Sequence, residues 1–218
     1  MSRYSDYDDF EGEPEQILAM GRWERNARAV LRSKRGRKAL AELREALMAL
    51  PEHKLIEGAV CTVGAPERKA ALLAQAEADA AREYEHAARY AAEHPDDPWA
   101  QRLAARPFEP ETGPVEELDR YVARDGEGVC AVGAYAWYRK VKAGMGPAEA
   151  FASLPDLADE GSDALGETAD LGEAAGLART LAWELAYRND ETFGKCTPEE
   201  RHAKFVAWID EVLARSAA

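Results

Sequence analysis

Apolar residues recur at three- and four-residue spacing through Cys130, Ala134, Trp137 and Val141, and Arg139, Lys140 and Lys142 gather at the end of that run. The least polar stretch of the chain, Asp125–Tyr138, therefore predicts a helix that stops near Gly144. Small residues at Ala131, Gly133, Ala134 and Ala136 leave room for neighbouring backbones, so this helix is expected at the centre. A second strongly apolar pattern, Leu177, Leu181 and Leu185 with Ala174, Ala178, Ala182 and Trp183, predicts one helix over Leu171–Arg188. Thr197-Pro-Glu-Glu200 is a capping box with proline in the first helical position. It opens a terminal amphipathic helix through Phe205, Val206, Trp208, Ile209, Val212 and Leu213.

Earlier in the chain, Pro14 suits a first helical turn, and Ile17, Leu18, Ala27, Val30 and Leu31 line one face up to about Ser33. Gly36 interrupts the pattern, and Leu40, Leu43, Leu47 and Leu50 predict a second helix over Lys38–Leu50. The two form an expected hairpin joined by a basic loop, Ser33–Lys38. Lys54–Val63 is rich in β-branched residues and reads as a strand, with Val129 in its partner, giving a small antiparallel β-hairpin. Residues 64–124 differ in composition and read as a helical insertion. It contains a long helix from Pro66 to His94, a short one from Asp97 to Ala105, and a stiff linker, Pro107–Pro114. Pro147–Leu154 predicts a short helix, and Asp156 opens an acidic loop. Residues 1–13 alternate acids with Tyr4, Tyr7 and Phe10 and lack periodicity, which predicts a disordered acidic tail or a short docking motif. The fold class expected is mainly α: one compact helical domain over 14–218 with the hairpin and the insertion at 64–124.

With 218 residues and 46% hydrophobic composition, the chain can bury a real core. No apolar run approaches the roughly 20 residues of a membrane helix, and no signal peptide is evident, so a cytoplasmic protein is expected. Cys61, Cys130 and Cys196 lack a Cys-x-x-Cys spacing, which suggests neither a disulfide framework nor a zinc site. The formal charge of −13 argues against broad, nonspecific attraction to nucleic acid, but the charge is segregated. Arg22, Arg25, Arg28, Arg32, Lys34, Arg35, Arg37 and Lys38 share one early segment, whereas Asp156–Glu173 holds seven acids and no base.

Chemistry has few candidates. Cys130 follows a glycine-rich turn and enters a helix, where the dipole can lower a thiol pKa and produce a nucleophile. A cysteine-dependent enzyme also needs a base, and none of His53, His86, His94 and His202 stands in a motif that marks it as one. A buried apolar cysteine is the favoured reading. Glu83-x-x-His86 and Glu199-x-x-His202 imitate di-iron ligand pairs, yet a chain rich in Glu produces them by chance, and no metal is assigned. Asp159–Asp163 does not follow a calcium loop, and no phosphate-binding or nucleophile-elbow motif occurs, so no cofactor is implied. Asn189-Asp190 reads as a helix cap, with a polar catalytic pair as the alternative. Arg32, Lys34, Arg35, Arg37 and Lys38 are the candidate partner-binding residues. The basic loop could meet phosphate or an acidic partner, but a solvated turn between helices is the favoured reading because no aromatics interleave with it for base stacking; a protein partner is preferred to nucleic acid on the acidic net charge. An acidic DNA mimic, using the tail and 156–173, is a further alternative. Oligomeric state is left open.

Several stretches together, Arg35–Pro51, Leu55-Ile-Glu-Gly58, Val129–Ala134, Leu181–Asp190 and Thr197-Pro-Glu-Glu-Arg201 with Trp208, resemble an uncharacterised family of actinobacteriophages and actinobacteria. More distantly, the order is similar to small bacterial domains with a Cys-x-x-Gly-Ala helix and a later Asn-Asp before a terminal helix. The resemblance omits 64–124. It implies phage or actinobacterial provenance and carries no activity. The function expected is that of a non-enzymatic phage-type accessory protein, acting in the host cytoplasm by binding a host or phage macromolecule.

Overall fold

The computed structural model describes residues 14–58, 60–106, 110, 112–154, 164–193 and 196–215. The described chain is mainly helical, with ten α-helices and one π-turn. They are α1 (Pro14–Arg32), α2 (Lys34–Ala49), α3 (Ala65–Glu93), α4 (Pro98–Ala105), α5 (Gly113–Asp125), α6 (Ala131–Lys142), α7 (Pro147–Ala152), α8 (Ala164–Ala174), α9 (Arg179–Tyr187), the π-turn Arg188–Thr192, and α10 (Pro198–Ala214).

Helix α6 is the hub. Every residue from Ala131 to Trp137 is buried, and α2, α7, α8 and α9 pack around it. The small side chains serve this directly: a Cβ added at Gly133 would lie 2.4 Å from the Val60 carbonyl oxygen. Trp137 stacks on Phe151 of α7 with centroids 4.8 Å apart, and its indole N–H donates to the Pro147 carbonyl at 3.1 Å. Tyr135 reaches α2, donating its hydroxyl to Glu42 at 3.1 Å. The outer layer consists of α1, which packs on α2 and α9, and α10, which packs on α2. The terminal capping box forms as expected, with Thr197 and Glu200 exchanging bonds. In the other part of the chain, α3 packs with α4 and α5 to make a three-helix arm. Helix α5 escapes a reading of composition, although Val115 and Leu118 mark its buried face.

Three expectations are corrected. First, the basic loop between α1 and α2 does not exist, because Ser33 alone joins them. Its N–H donates to Ala29 and Val30 carbonyls, ending α1, while its Oγ accepts from the Gly36 N–H at 2.9 Å as the N-cap of α2. Gly36 does not break a helix but permits this junction, since a Cβ there would stand 1.9 Å from the Val30 carbonyl oxygen. Residues 34–38 thus form the first turn of α2.

Second, Leu171–Arg188 is not one helix. Gly176, at φ +101°, reverses the chain after α8, and the Leu177 N–H closes the turn on the Gly172 carbonyl at 2.9 Å. Helix α8 folds back on α9, with Gly172 in close contact with Ala182.

Third, the described residues of 54–63 meet 126–130 in a single isolated antiparallel bridge, Cys61 to Val129. No strand forms among the described residues. The amides that would continue a ladder are taken by other groups: Leu55 N–H by the Pro198 carbonyl, Glu57 N–H by Asp125, and Gly58 N–H by Asp190. Left-handed Gly58 and Gly64 also bend the segment at φ +75° and +73°.

Helix α10 is seated on the end of α2 by His202, whose Nε2 lies 3.0 Å from the Leu47 carbonyl oxygen and whose ring stacks on His53 at 5.1 Å. Burial holds its pKa below 6.5; the charge of His53 acts in the same direction and the Leu47 carbonyl against it. A base with a depressed folded pKa binds its proton more readily when unfolded. This contribution to stability is complete above about pH 6.5 and is lost as pH falls through the folded value. His202→Gln, which keeps a donor for Leu47, should flatten the acid side of a plot of urea-unfolding stability against pH; an unchanged slope would contradict the assignment. At the α1–α2 junction, Gly36→Ala should cost about 3 kcal/mol by overpacking. Gly21→Ala, whose Cβ meets nothing nearer than 3.7 Å within α1, should be neutral or stabilising by up to about 1 kcal/mol. Equal effects of the two in chemical denaturation would refute the close-approach role of Gly36.

Candidate functional site

The chain crosses itself where residues 55–62 pass 125–130, and the polar side chains of the core converge there. Thr62 ties the two segments together: its Oγ1 donates to the Gly126 carbonyl at 3.0 Å and accepts from the Gly128 N–H at 2.9 Å. Its N–H donates to the Gly128 carbonyl at 2.8 Å, and Cys130 N–H donates to the Val60 carbonyl at 3.0 Å. From the π-turn, Asn189 reaches both sides of the crossing. Its Nδ2 donates to the Ile56 carbonyl at 2.8 Å, and its Oδ1 accepts from the Ala131 N–H at 3.2 Å. Asp190 accepts from Asn189 at 2.7 Å and from Gly58 N–H at 3.1 Å. Burial is the largest influence on Asp190 and raises its pKa, against the two hydrogen bonds.

Arg201 closes the knot from α10. It is 1% exposed, donates to the Leu55 carbonyl at 3.1 Å and to the Glu57 carboxylate, and lies 3.8 Å from Asp125. This residue was legible in one respect. It stands four before Phe205 and eight before Ile209, so a charge falls on the apolar stripe of a helix. The same holds on α9, where buried Glu184 and Arg188 form an ion pair at 3.0 Å and Arg188 lies 4.1 Å from the Trp208 ring centre. Asn189 is not a helix cap. It sits inside the π-turn with an ordinary negative φ, and its bonds are to the crossing chains.

Cys130 does enter the first turn of a helix as expected, but as its N-cap, accepting from the Gly133 N–H at 3.3 Å. The thiol is buried, and burial with the nearby Asp190 outweighs the two helix amides, pushing its pKa up to about 12. No imidazole joins it in any described contact: His202 is bound at Leu47, His53 lies near the Met48 carbonyl, and His94 near that of Tyr90. At neutral pH the sulfur is a protonated, enclosed thiol, the wrong state for a nucleophile.

The other candidates lie apart. Glu83 and His86 are exposed in a groove of about 590 Å³ beside Arg82, Arg89 and Leu103. Glu199 lies exposed in the first turn of α10 and pairs with Lys54, while His202 points into the α2 seam. No group of three metal-ligating side chains occurs among the described residues. Arg32, Lys34, Arg35 and Lys38 are exposed around the start of α2, and Arg37 is half-buried. Of the acids proposed for a DNA mimic, residues 1–13 and 156–163 lie outside the described residues, and Asp170 and Glu173 are both held by Arg179. No described helix is long and apolar enough to cross a membrane.

Comparison with known proteins finds no matching family model, curated protein or solved structure.

The burial of Cys61 and Cys130 and the half-burial of Cys196 predict how the thiols label. At neutral pH a thiol-specific chromogenic reagent should find one fast site, Cys196, and the remaining two only after denaturation. Rapid labelling of Cys130 in the folded protein would reverse this reading of its environment.

Proposed function

We propose that this chain acts by binding: an accessory protein of phage type whose basic surface at the start of α2, formed by Arg32, Lys34, Arg35, Arg37 and Lys38, engages an anionic macromolecule in the cytoplasm of a bacterial host. The observation that carries the proposal is a local rule broken in the open. The amino-terminal end of a helix attracts anions, and each cation placed there costs about 0.3–1 kcal/mol. The first turn of α2 contains no acid and begins with exposed Lys34 and Arg35. Among the described residues Lys38 meets only Glu42, at 4.0 Å. Charges that weaken their own helix without a compensating contact are the kind retained for an external ligand. The knot at Cys130 supports the same reading, because the side chains of Thr62, Asn189 and Asp190 are taken up by the crossing chains. The resemblance of its motif set to that of actinobacteriophage proteins is the reason to place the partner in such a host.

The test uses the conflict itself. Lys34→Glu with Arg35→Glu should raise the thermal midpoint, since acids suit that end of the helix, while abolishing partner capture from actinobacterial lysate at low salt. A partner retained equally by the double variant would sink the proposal.

A further inference from the structure

The basic surface does not stop at α2. Arg22, Arg25, Arg28 and Arg32 recur at three- and four-residue spacing on α1, and all four are exposed. Over the ten steps from Arg22 to Arg32 a helix rises about 15 Å, so they form a row on α1, and Lys34 and Arg35 follow Arg32 directly across the one-residue junction. Residues 22–38 hold eight basic residues against the single acid Glu24, in a chain whose formal charge is −13. Glu24 is committed to Arg28. Among the described residues no carboxylate pairs with Arg22, Arg25, Arg32, Lys34 or Arg35. The opposite side of α1 faces inward, with Ala27 buried, Val30 and Leu31 against the core, and Trp23 set edge-on to Tyr187 at 5.2 Å.

Resting on the binding reading above, we infer that this row binds the phosphate backbone of duplex nucleic acid, without reading its sequence. Two features favour that partner over an acidic protein. Protein interfaces are anchored by apolar or aromatic side chains at a desolvated centre, with charge depleted there. The exposed large hydrophobics of the described chain are Met48, Leu73, Tyr84 and Trp99, and none lies in 22–38. What the row offers is arginine, whose fork meets phosphate oxygens in pairs and whose binding draws on counterion release. The missing aromatics, which count against base stacking, count equally against single strands and leave the duplex. The acidic remainder of the molecule turns this one edge toward a polyanion.

The experiment is fluorescence anisotropy of the full chain with a labelled duplex of about 20 random base pairs, alongside a labelled single strand of the same length and polyglutamate. With about five phosphates neutralised, affinity for the duplex should fall about 500-fold between about 50 mM and about 200 mM salt. Single strand should bind more weakly, and polyglutamate should compete poorly. The triple variant Arg22→Glu, Arg25→Glu, Arg32→Glu should lose duplex binding with its circular dichroism unchanged; if it misfolds, the matching Gln triple replaces it and should lower both the affinity and the salt slope. Absence of duplex binding at low salt, polyglutamate competing as well as duplex, or a variant that binds like the parent overturns the inference. If the duplex fails while lysate capture remains sensitive to Lys34→Glu with Arg35→Glu, the partner is an acidic protein and the binding reading stands. If both fail, that reading falls as well.

Discussion

A backbone amide carried into a dry core outside a helix must find an acceptor there, and in this protein that requirement governs the centre. Residues 55–58, 60–62 and 126–130 lie outside any helix and are too briefly paired to satisfy one another. Side chains supply what a sheet would have supplied. Asp125 and Asp190 accept the amides of Glu57 and Gly58, Thr62 answers Gly128, and Asn189 holds a carbonyl of one segment and an amide of the other. The amide Asn189 accepts belongs to Ala131, the first residue of α6, so the hub helix is oriented by a residue fifty-eight positions away.

Charge inside such a knot is tolerable only while it stays paired. Arg201 meets a carbonyl and two carboxylates, Glu184 and Arg188 meet each other, and Asp190 is drawn toward its neutral form by its surroundings. Buried pairs of this kind add little net stability over apolar packing, but losing one member strands the other at a cost of several kcal/mol. The geometry is therefore specific before it is strong. Burial and the Asp190 carboxylate beside it likewise raise the Cys130 thiol, against the pull of the two helix amides that the sulfur serves.

Local order was readable where a local cause exists. The capping box at Thr197, the small-residue face of α6 and the long α3 all follow from neighbours within a turn or two. The hairpin is not found among the described residues, where the partners of Leu55 and Gly58 come from Pro198 and Asp190, which no spacing near residue 55 announces. Gly36 and Gly176 carry the same letter with opposite meanings. One stays helical because a neighbouring carbonyl leaves no space for a side chain, and the other reverses the chain in a left-handed conformation; only the packing tells them apart. For the candidate site, the basic residues were visible as composition. Their continuity with the α1 row became visible once Ser33 replaced a loop with a single-residue joint. Arg201 and Asn189 had the faintest signals, polar letters in apolar company, because their partners lie far along the chain.

The arm of α3, α4 and α5 leaves the body after Thr62 and returns at Gly126, two points that Thr62 holds at hydrogen-bonding distance. To the body, everything between is a closed loop whose ends already meet. The entropy of closing such a loop grows only with the logarithm of its length, about 0.6 kcal/mol for each doubling. By that entropy alone the body tolerates changes of length between those points, while Arg68, which donates to the Phe151 and Leu154 carbonyls, and Asp125, which accepts from Glu57, remain places where the arm answers to the core.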